Sequence, residues 1–503
     1  MTNTFLNQMT KNANIDYTEN GGVTRKSTES KVLDMFAVGG AYRNRSDADV
    51  ILLFKNAFEE DPLLAMKCLF YLRDVRGGQG ERRFFRVAFR WLCDNYPDVA
   101  KMNLINVSEY GRWDDLIYVA VDTKVQTAAF NIIKHQLALD VQCKTPSLLA
   151  KWLPSQNASS EKTKELGHRL ANFLNMTNRE YRKTLSVLRE RINVLERLMS
   201  ANRWDEIEFD KIPSRAGMIY RNAFARRDIL AKKYEAFAKD EKTKVNADVL
   251  YPQEIARQAW KVGYHSLDDP TRLMLQKYWD NLKDFYCGRE ENGIAVVDVS
   301  GSMTGTPMDA AVSLGAYIAE RGHGPFANHF ITFSRDPSLV RFEGADIVDK
   351  FLRCRNAHWG MNTNIQAVFD MLLQTAKSKH VKKEDMPTRI YIFSDMEFDS
   401  CVTFSKTRED RWGYFNNTVN SLNEVNSDLE KIKRQWEAAG YDMPSVIFWN
   451  LDARQNHIPA IGDGFSYVSG FSPNMIECIL SGKDGWDLMV EKLMSKRYAA
   501  VVA

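Results

Sequence analysis

Two patterns of hydrophobic and polar positions divide the chain. From residue 32 to about residue 237, apolar residues recur three and four apart, the period of one helix face. Leu52, Leu53, Phe54 and Phe58 form one such set; Leu63, Leu64, Met66, Cys68, Leu69, Phe70 and Leu72 form a second. Phe84, Phe85, Val87, Ala88, Trp91 and Leu92 form a third. Asp61-Pro62 is a helix start, with the acid as cap and proline in the first turn. Gly77-Gly78-Gln79-Gly80 breaks one helix before Glu81 begins the next. Serial short helices without a strict sequence period predict an α-solenoid of HEAT-like stacked pairs. From Gly293 the pattern changes to strands alternating with helices. Strands are expected at 294–299, 327–334, 339–342, 389–394, 445–451 and 465–469, and helices at 308–320, 347–352, 364–378, 429–439, 473–480 and 484–494. Continuous apolar strands in such a series predict a parallel, doubly wound sheet covered on both faces. The expected organisation is a polar arm over 1–30, a helical-repeat domain over 31–290 and a Rossmann-like sheet domain over 291–503. Residues 239–246 read as a surface loop. The helical patterns at 252–263 and 273–286 fit either domain.

Charge changes this picture only locally. The chain has 68 Lys and Arg against 65 Asp and Glu, a net +3 that makes no case for nucleic acid on its own. Residues 71–90, however, hold six arginines and two acids, and residues 151–236 hold 18 basic against 11 acidic residues. Arg73, Arg76, Arg82 and Arg83 flank the glycine turn. Lys151, Arg179, Arg182, Lys183, Arg215, Arg221, Arg226 and Arg227 follow, interleaved with Trp152, Tyr181, Trp204, Tyr220 and Phe224. Arginine forks grip phosphates and exposed rings stack bases. The plainer alternative is solvated ion pairs on helix surfaces and rings in the core. The glycine turn lacks the GxxxxGK[ST] phosphate-loop pattern. Seven cysteines without a CxxC pair fit reduced thiols of a cytoplasmic protein. No run of 18 apolar residues predicts a membrane span, and residues 1–30 do not form a secretory leader.

The most chemically specific stretch is Ile294-Ala295-Val296-Val297-Asp298-Val299-Ser300-Gly301-Ser302-Met303. A buried strand opens into hard oxygen donors. Asp298, Ser300 and Ser302 share a face while the chain stays extended. One carboxylate and two hydroxyls are poor zinc ligands; they suit Mg²⁺ or another divalent cation that takes oxygen and keeps waters. Ligands of a doubly wound sheet bind beyond the carboxyl ends of its strands. Two further loops belong to that edge, Gly360-Met361-Asn362-Thr363-Asn364 and Ser394-Asp395-Met396-Glu397-Phe398-Asp399. Turn formation or helix capping is the alternative role for these residues.

The set Asp298-Val299-Ser300-Gly301-Ser302, Thr363 and Asp395 resembles the von Willebrand factor A (vWA) domain and its metal-ion-dependent adhesion site (MIDAS), over roughly residues 290–500. The resemblance implies direct ligation by Ser300 and Ser302. It implies ligation by Asp298, Thr363 and Asp395 directly or through water, with one position open to an acidic side chain of a protein partner. Residues 71–82, YLRDVRGGQGER, with Gly111-Arg112-Trp113-Asp114-Asp115-Leu116, Tyr181-Arg182-Lys183-Thr184-Leu185 and Ile212-Pro213-Ser214-Arg215-Ala216, resemble the TROVE module of the Ro 60 kDa autoantigen and its bacterial relatives. They resemble still more a group of Ro-like proteins with the same two-domain order. That resemblance implies a helical ring joined to the A domain, binding single-stranded RNA ends in its hole and small structured RNAs outside. The nearest stretch to the family's histidine-proline-lysine run is Leu148-Leu149-Ala150-Lys151-Trp152-Leu153-Pro154, which keeps a lysine but no histidine.

The expectation is therefore a non-catalytic, cytoplasmic ribonucleoprotein component. Its candidate RNA contacts are Arg73, Arg76, Arg82, Arg83, Lys151, Arg182, Lys183, Arg215 and Arg221. The alternative is a metal-dependent interaction scaffold that binds no RNA. No HExxH, serine-triad or Cys–His signature argues for an enzyme.

Overall fold

In a computed structural model, the described residues are 14–192, 194–243, 245, 247, 249–263, 269–333, 337–355, 363–399, 428–483 and 485–503. Alternation of apolar strands and helices builds one mixed six-stranded sheet in the C-terminal half. Its strands are β3 (Gly293–Val297), β4 (His329–Thr332), β5 (Ser338–Arg341), β6 (Arg389–Ser394), β7 (Ser445–Asn450) and β8 (Phe465–Ser469). Their order is β5-β4-β3-β6-β7-β8. All neighbours run parallel except β4 and β5, which pair antiparallel from His329 opposite Arg341 to Thr332 opposite Ser338. The all-parallel expectation is corrected at this edge. Only five residues separate β4 from β5, room for a hairpin but not for a crossover helix. The order reverses between β3 and β6, and such a reversal opens a crevice at the strands' carboxyl ends.

Helix Thr306–Arg321 lies across β3, β4 and β6. Gly315 permits the approach, since a Cβ there would sit 2.4 Å from Val297 Cγ2. Helices Pro252–Val262 and Pro270–Asp280 pack on Thr306–Arg321 and on Ile347–Arg355. Trp279 stacks edge-on to Phe351 at 5.3 Å, and Arg272 holds Asp346 at 2.7 Å. Pro270–Asp280 also packs on Asp228–Lys239, so these two helices bridge the halves just ahead of the expected boundary at residue 290. Their apolar faces have the same period whichever half they cover, so the pattern could not place them.

The N-terminal half is helical. Asp47–Glu60, Pro62–Arg73, Arg82–Asn95, Pro97–Tyr110, Trp113–Ala120 and Gln126–Gln142 each pack on their neighbours in sequence, and further helices continue the path to Asp228–Lys239. Asp61 caps its helix by accepting from Leu64 N–H at 2.9 Å. The path starts on the sheet half, where helix Lys31–Val38 packs on β8, and returns to it at Pro252–Val262.

Both chain ends cross between halves. Residues 14–30, read from sequence as part of a partly ordered polar arm, contain a hairpin of β1 (Ile15–Tyr17) and β2 (Val23–Arg25) docked on the sheet half. Arg25 N–H donates to Ile458 O at 2.9 Å, and its guanidinium meets Glu430 at 3.1 Å. Residues 1–13 lie outside the described set, as do the loop residues 360–362 and Cys401. In the other direction, residues 497–502 dock on the helical half. Arg497 forms a bidentate pair with Asp74 (2.7 and 2.8 Å), and Asn103 and Asn106 donate to Val502 O and Ala500 O at 2.8 and 2.9 Å. The glycine turn makes a third joint. Gly78 O accepts from Asn474 Nδ2 at 2.8 Å, and buried Gln79 accepts from Ser472 N–H at 3.2 Å. Cys68, Cys93 and Cys354 are buried thiols, whereas Cys143 and Cys287 are exposed; among the described residues no disulfide forms. No described helix is long and apolar enough to cross a membrane.

Candidate functional site

The strand-order reversal brings Asp298 and Asp395 to one edge of the sheet, and Thr363 bonds the loop that follows Asp395. Asp298 follows β3, Asp395 follows β6, and Thr363 precedes helix Ile365–Lys379, whose N-cap Asn364 accepts from Ala367 N–H at 3.0 Å. Asp298, Asp395 and Thr363 are buried, and so is Ser300; Ser302 is exposed and marks the open side. Asp298 Oδ1 accepts from Ser300 N–H at 2.9 Å, and its Oδ2 accepts from the Ser394 hydroxyl at 2.6 Å. The Ser300 and Ser302 hydroxyls are 3.0 Å apart. Asp395 Oδ1 accepts from Glu397 N–H at 3.2 Å, whereas its Oδ2 is buried without a hydrogen-bond partner. Thr363 Oγ1 donates to Glu397 O (2.9 Å) or to Asp399 Oδ1 (3.1 Å). Sequence reasoning passed over Ser394, which ends a strand as an ordinary polar residue would. It also missed Asn20, 343 residues from the Thr363 hydroxyl to which its amide donates at 3.0 Å.

Burial raises the pKa of Asp298, against hydrogen bonds from Ser394 and Ser300 that lower it, and Asp399 raises it further. Burial and then the Asp298 charge push Asp395 up to about 6. The Asp298 charge thus acts on Asp395, which Ser302 partly offsets, and Asp395 Oδ2 is buried without a hydrogen-bond partner. This all-oxygen donor set fits a hard divalent cation. Among the described residues no group of three or more His, Cys, Asp or Glu is placed to hold a metal, so hydroxyls and water must complete such a shell.

The raised Asp395 pKa sets a pH dependence. A carboxyl titrating near 6 in the fold and near 3.9 in the unfolded chain keeps its proton longer in the native state. Without a cation, this contribution to stability falls as pH rises from about 4 to about 6 and then levels. In EDTA, Asp395→Asn is expected to remove that part of the decline in melting temperature. An unchanged slope in the variant would exclude it.

The candidate RNA contacts scatter. Arg73 is corrected from a surface contact to a core residue: it is 2 % exposed, and Asp115 Oδ2 accepts from its Nε and Nη2 at 2.9 and 2.6 Å. Arg83 is paired with Asp47, and Arg215 holds Glu254 through two bonds of 2.7 Å. Arg221 is half-buried beside Tyr234. Arg76 is exposed and donates to Glu109 O at 3.2 Å. Arg82 is exposed on its helix, its pKa lowered by partial burial and by the charges of Arg112 and Arg86.

Lys151 and Arg182 converge on one open cleft of about 860 Å³. Trp152, Gln156, Arg189 and Arg197 share its wall, and Lys183 is exposed on the helix that carries Arg182. Arg189 fixes the wall by donating to Ala150 O, Leu153 O and Ser155 Oγ at 2.8, 2.9 and 2.9 Å. Arg112 lies 4.0 Å over the Trp152 ring. Sequence reasoning missed Arg189 and Arg197. Arg189 stands seven residues, almost two helix turns, after Arg182 and so shares its face, a signal the sequence did carry.

A helical half and a mixed-sheet half, joined by crossed chain ends and bearing a carboxylate–hydroxyl cluster at the sheet's reversal point, define the class of molecule. Comparison with known proteins places it. The family described as domain of unknown function DUF2828 matches residues 18–136 and 134–286, and that described as DUF7788 matches residues 292–499. Uncharacterized protein L728 of Acanthamoeba polyphaga mimivirus is 32% identical over 516 residues, covering 94% of this chain and 86% of that protein. The chain belongs to the DUF2828 family. Among solved structures, the RO (RSR) protein of Deinococcus radiodurans is similar with a TM-score of 0.36 at 12% identity, over 93% of this chain and 99% of that one.

Proposed function

We propose that the chain is a non-catalytic, Ro-like RNA-binding protein whose sheet half, a vWA-like module, recruits a protein partner through a bound divalent cation. The observation carrying the RNA part is the cleft. Lys151 and Arg182 line a space of about 860 Å³ that has an indole in its wall, in the half bearing the TROVE-like fragments; Arg189 and Arg197 border it while tied to wall oxygens and to Glu190, and Glu196 lies 3.9 Å from Lys151. Cationic grooves with aromatic walls track phosphates and stack bases with little regard to sequence. The return of the helical path to the sheet half supports the ring-like arrangement that the Ro resemblance implies.

At the other end, Asp298, Ser300, Ser302, Thr363 and Asp395 would hold Mg²⁺, with the unpartnered Asp395 oxygen as the strongest argument for it. The ion supplies a Lewis-acidic position for a carboxylate of the partner. The chain's own residues orient the donors and close them off from bulk water on all sides but that of Ser302, and because burial raises the pKa of both carboxyls, the ion competes there with protons.

Filter binding of single-stranded RNA tests the first part. Affinity is expected to fall steeply with salt, because each neutralised phosphate releases counterions. Lys151→Ala with Arg182→Ala should flatten the slope of log K against log salt by about 1.4, at about 0.7 per lost contact. No RNA affinity at low salt would overturn the proposal. It would leave the second reading, a metal-dependent scaffold without RNA, which is favoured by the commitment of Arg73, Arg83 and Arg215 to carboxylates.

A further inference from the structure

The turn of the N-terminal hairpin lies along the loop that follows Asp395. Thr18 Oγ1 donates to Phe398 O at 2.5 Å, Glu19 N–H donates to Glu397 Oε2 at 2.8 Å, and Gly21 bridges Asp399. The Glu19 carboxylate is held away on Arg454 at 2.8 Å. On the far side of Glu397, His457 Nδ1 is 2.9 Å from its Oε1. Gly22 is seated so closely that a Cβ there would fall 2.7 Å from Phe398 O.

Asn20 sits at the apex. The two N–H bonds of its amide reach Thr363 Oγ1 at 3.0 Å and Glu397 O at 2.6 Å. Thr363 Oγ1 spends its own proton on Glu397 O or Asp399. Accepting from Asn20 then leaves the hydroxyl one lone pair, and the two bonds fix where it points. Glu397 N–H in turn holds Asp395 Oδ1. One amide from the chain's N-terminal segment therefore touches one candidate ligand and the loop that anchors a second.

We propose that Asn20 is a positioning residue of the cation site, so that docking of residues 18–22 and binding of the divalent ion reinforce each other. This rests on the assignment of the site to a cation. Partners that orient a ligand commonly contribute 10–100-fold to metal affinity. The coupling is reciprocal: what the hairpin adds to ion affinity, the ion adds to hairpin docking. The hairpin also closes the Thr363 flank, which directs any approaching carboxylate to the side of Gly301, Ser302 and Thr304, all exposed.

The test is Mg²⁺ titration calorimetry on the full chain, with hydrogen exchange at the amides of residues 18–22. Asn20→Ala should weaken Mg²⁺ about tenfold, and Gly22→Ala, which unseats the turn without touching the amide, should do the same. Mg²⁺ should slow exchange at those amides in the unaltered chain but not in Asp298→Ala. A merely structural role for Asn20 would lower the ion-free melting temperature and leave Mg²⁺ affinity and ion-dependent exchange unchanged. If the unaltered chain binds Mg²⁺, Asp298→Ala does not, and both turn variants match the unaltered chain, the positioning role is wrong and the cation site stands. If the unaltered chain binds no Mg²⁺, the cation site and this proposal fall together. Should Asn20→Ala not fold, Gly22→Ala and the exchange measurement decide alone; Mg²⁺-independent exchange overturns the coupling.

Discussion

Asp115→Ala is expected to destabilise the chain by about 3–5 kcal/mol, the cost of leaving a buried charge without its partner. Asp115 is fully buried and carries four bonds. Its Oδ2 accepts from Arg73 Nε, Arg73 Nη2 and Arg112 N–H (2.9, 2.6 and 3.0 Å), and its Oδ1 accepts from Arg86 Nε at 2.6 Å. Asp114 completes the cluster, accepting from Arg86 Nη2 at 2.8 Å and from Arg112 Nε and Nη2 at 2.8 and 2.6 Å. Gly111 packs directly against the carboxylate: a Cβ there would lie 2.6 Å from Asp115 Oδ2. Without the carboxylate, the Arg73 guanidinium stays in the core with neither water nor anion. Asp47→Ala breaks the exposed pair with Arg83 and should cost under about 1 kcal/mol. Urea denaturation followed by tryptophan fluorescence separates the two. Equal midpoints would show that Arg73 is solvated after all.

Asp298→Ala is expected to weaken Mg²⁺ binding by at least about 100-fold, beyond the loss of an orienting residue alone. Asp298 is both a candidate ligand and the group that orders its neighbours, since Ser300 N–H and the Ser394 hydroxyl both point at it. Ion-free stability should change little by comparison, because the variant also removes a buried carboxylate that burial strains. RNA affinity at the cleft should not change, and capture of a partner in Mg²⁺ should cease. Calorimetric titration gives the affinity; wild-type affinity in the variant would exclude Asp298 from the site.

The two halves were legible in sequence to different depths. In the sheet half, uninterrupted apolar strands and the spacing of Asp298, Ser300 and Ser302 announce a loop at a strand's carboxyl end. Strand order then carries Asp395 to the same edge, and Thr363 bonds the loop that follows it. In the helical half, periodicity gave the helices, but charge misled at Arg73. Its partner lies 42 residues away on another helix, and nothing local distinguishes an arginine bound for the core from one bound for solvent. The quoted fragments around Arg73 and Asp114-Asp115 are two sides of one buried cluster, so their first role is architectural. The hairpin of residues 15–25 was invisible for a different reason. Its strands are three residues long, too short for an alternating pattern, and it is held by backbone groups of residues some 380 to 430 positions away.

The crossed termini bear on how the molecule moves. A chain of two parts joined by one linker bends about that linker. Here the hairpin grips the sheet half, residues 497–502 grip the helical half, and Gln79 bolts the middle. Swinging the parts apart would require the grip of residues 497–502 and the bonds of the Gly78–Gln79 turn to be released together. The spacing between the cleft and the carboxylates is therefore set by several joints rather than by the slack of one linker.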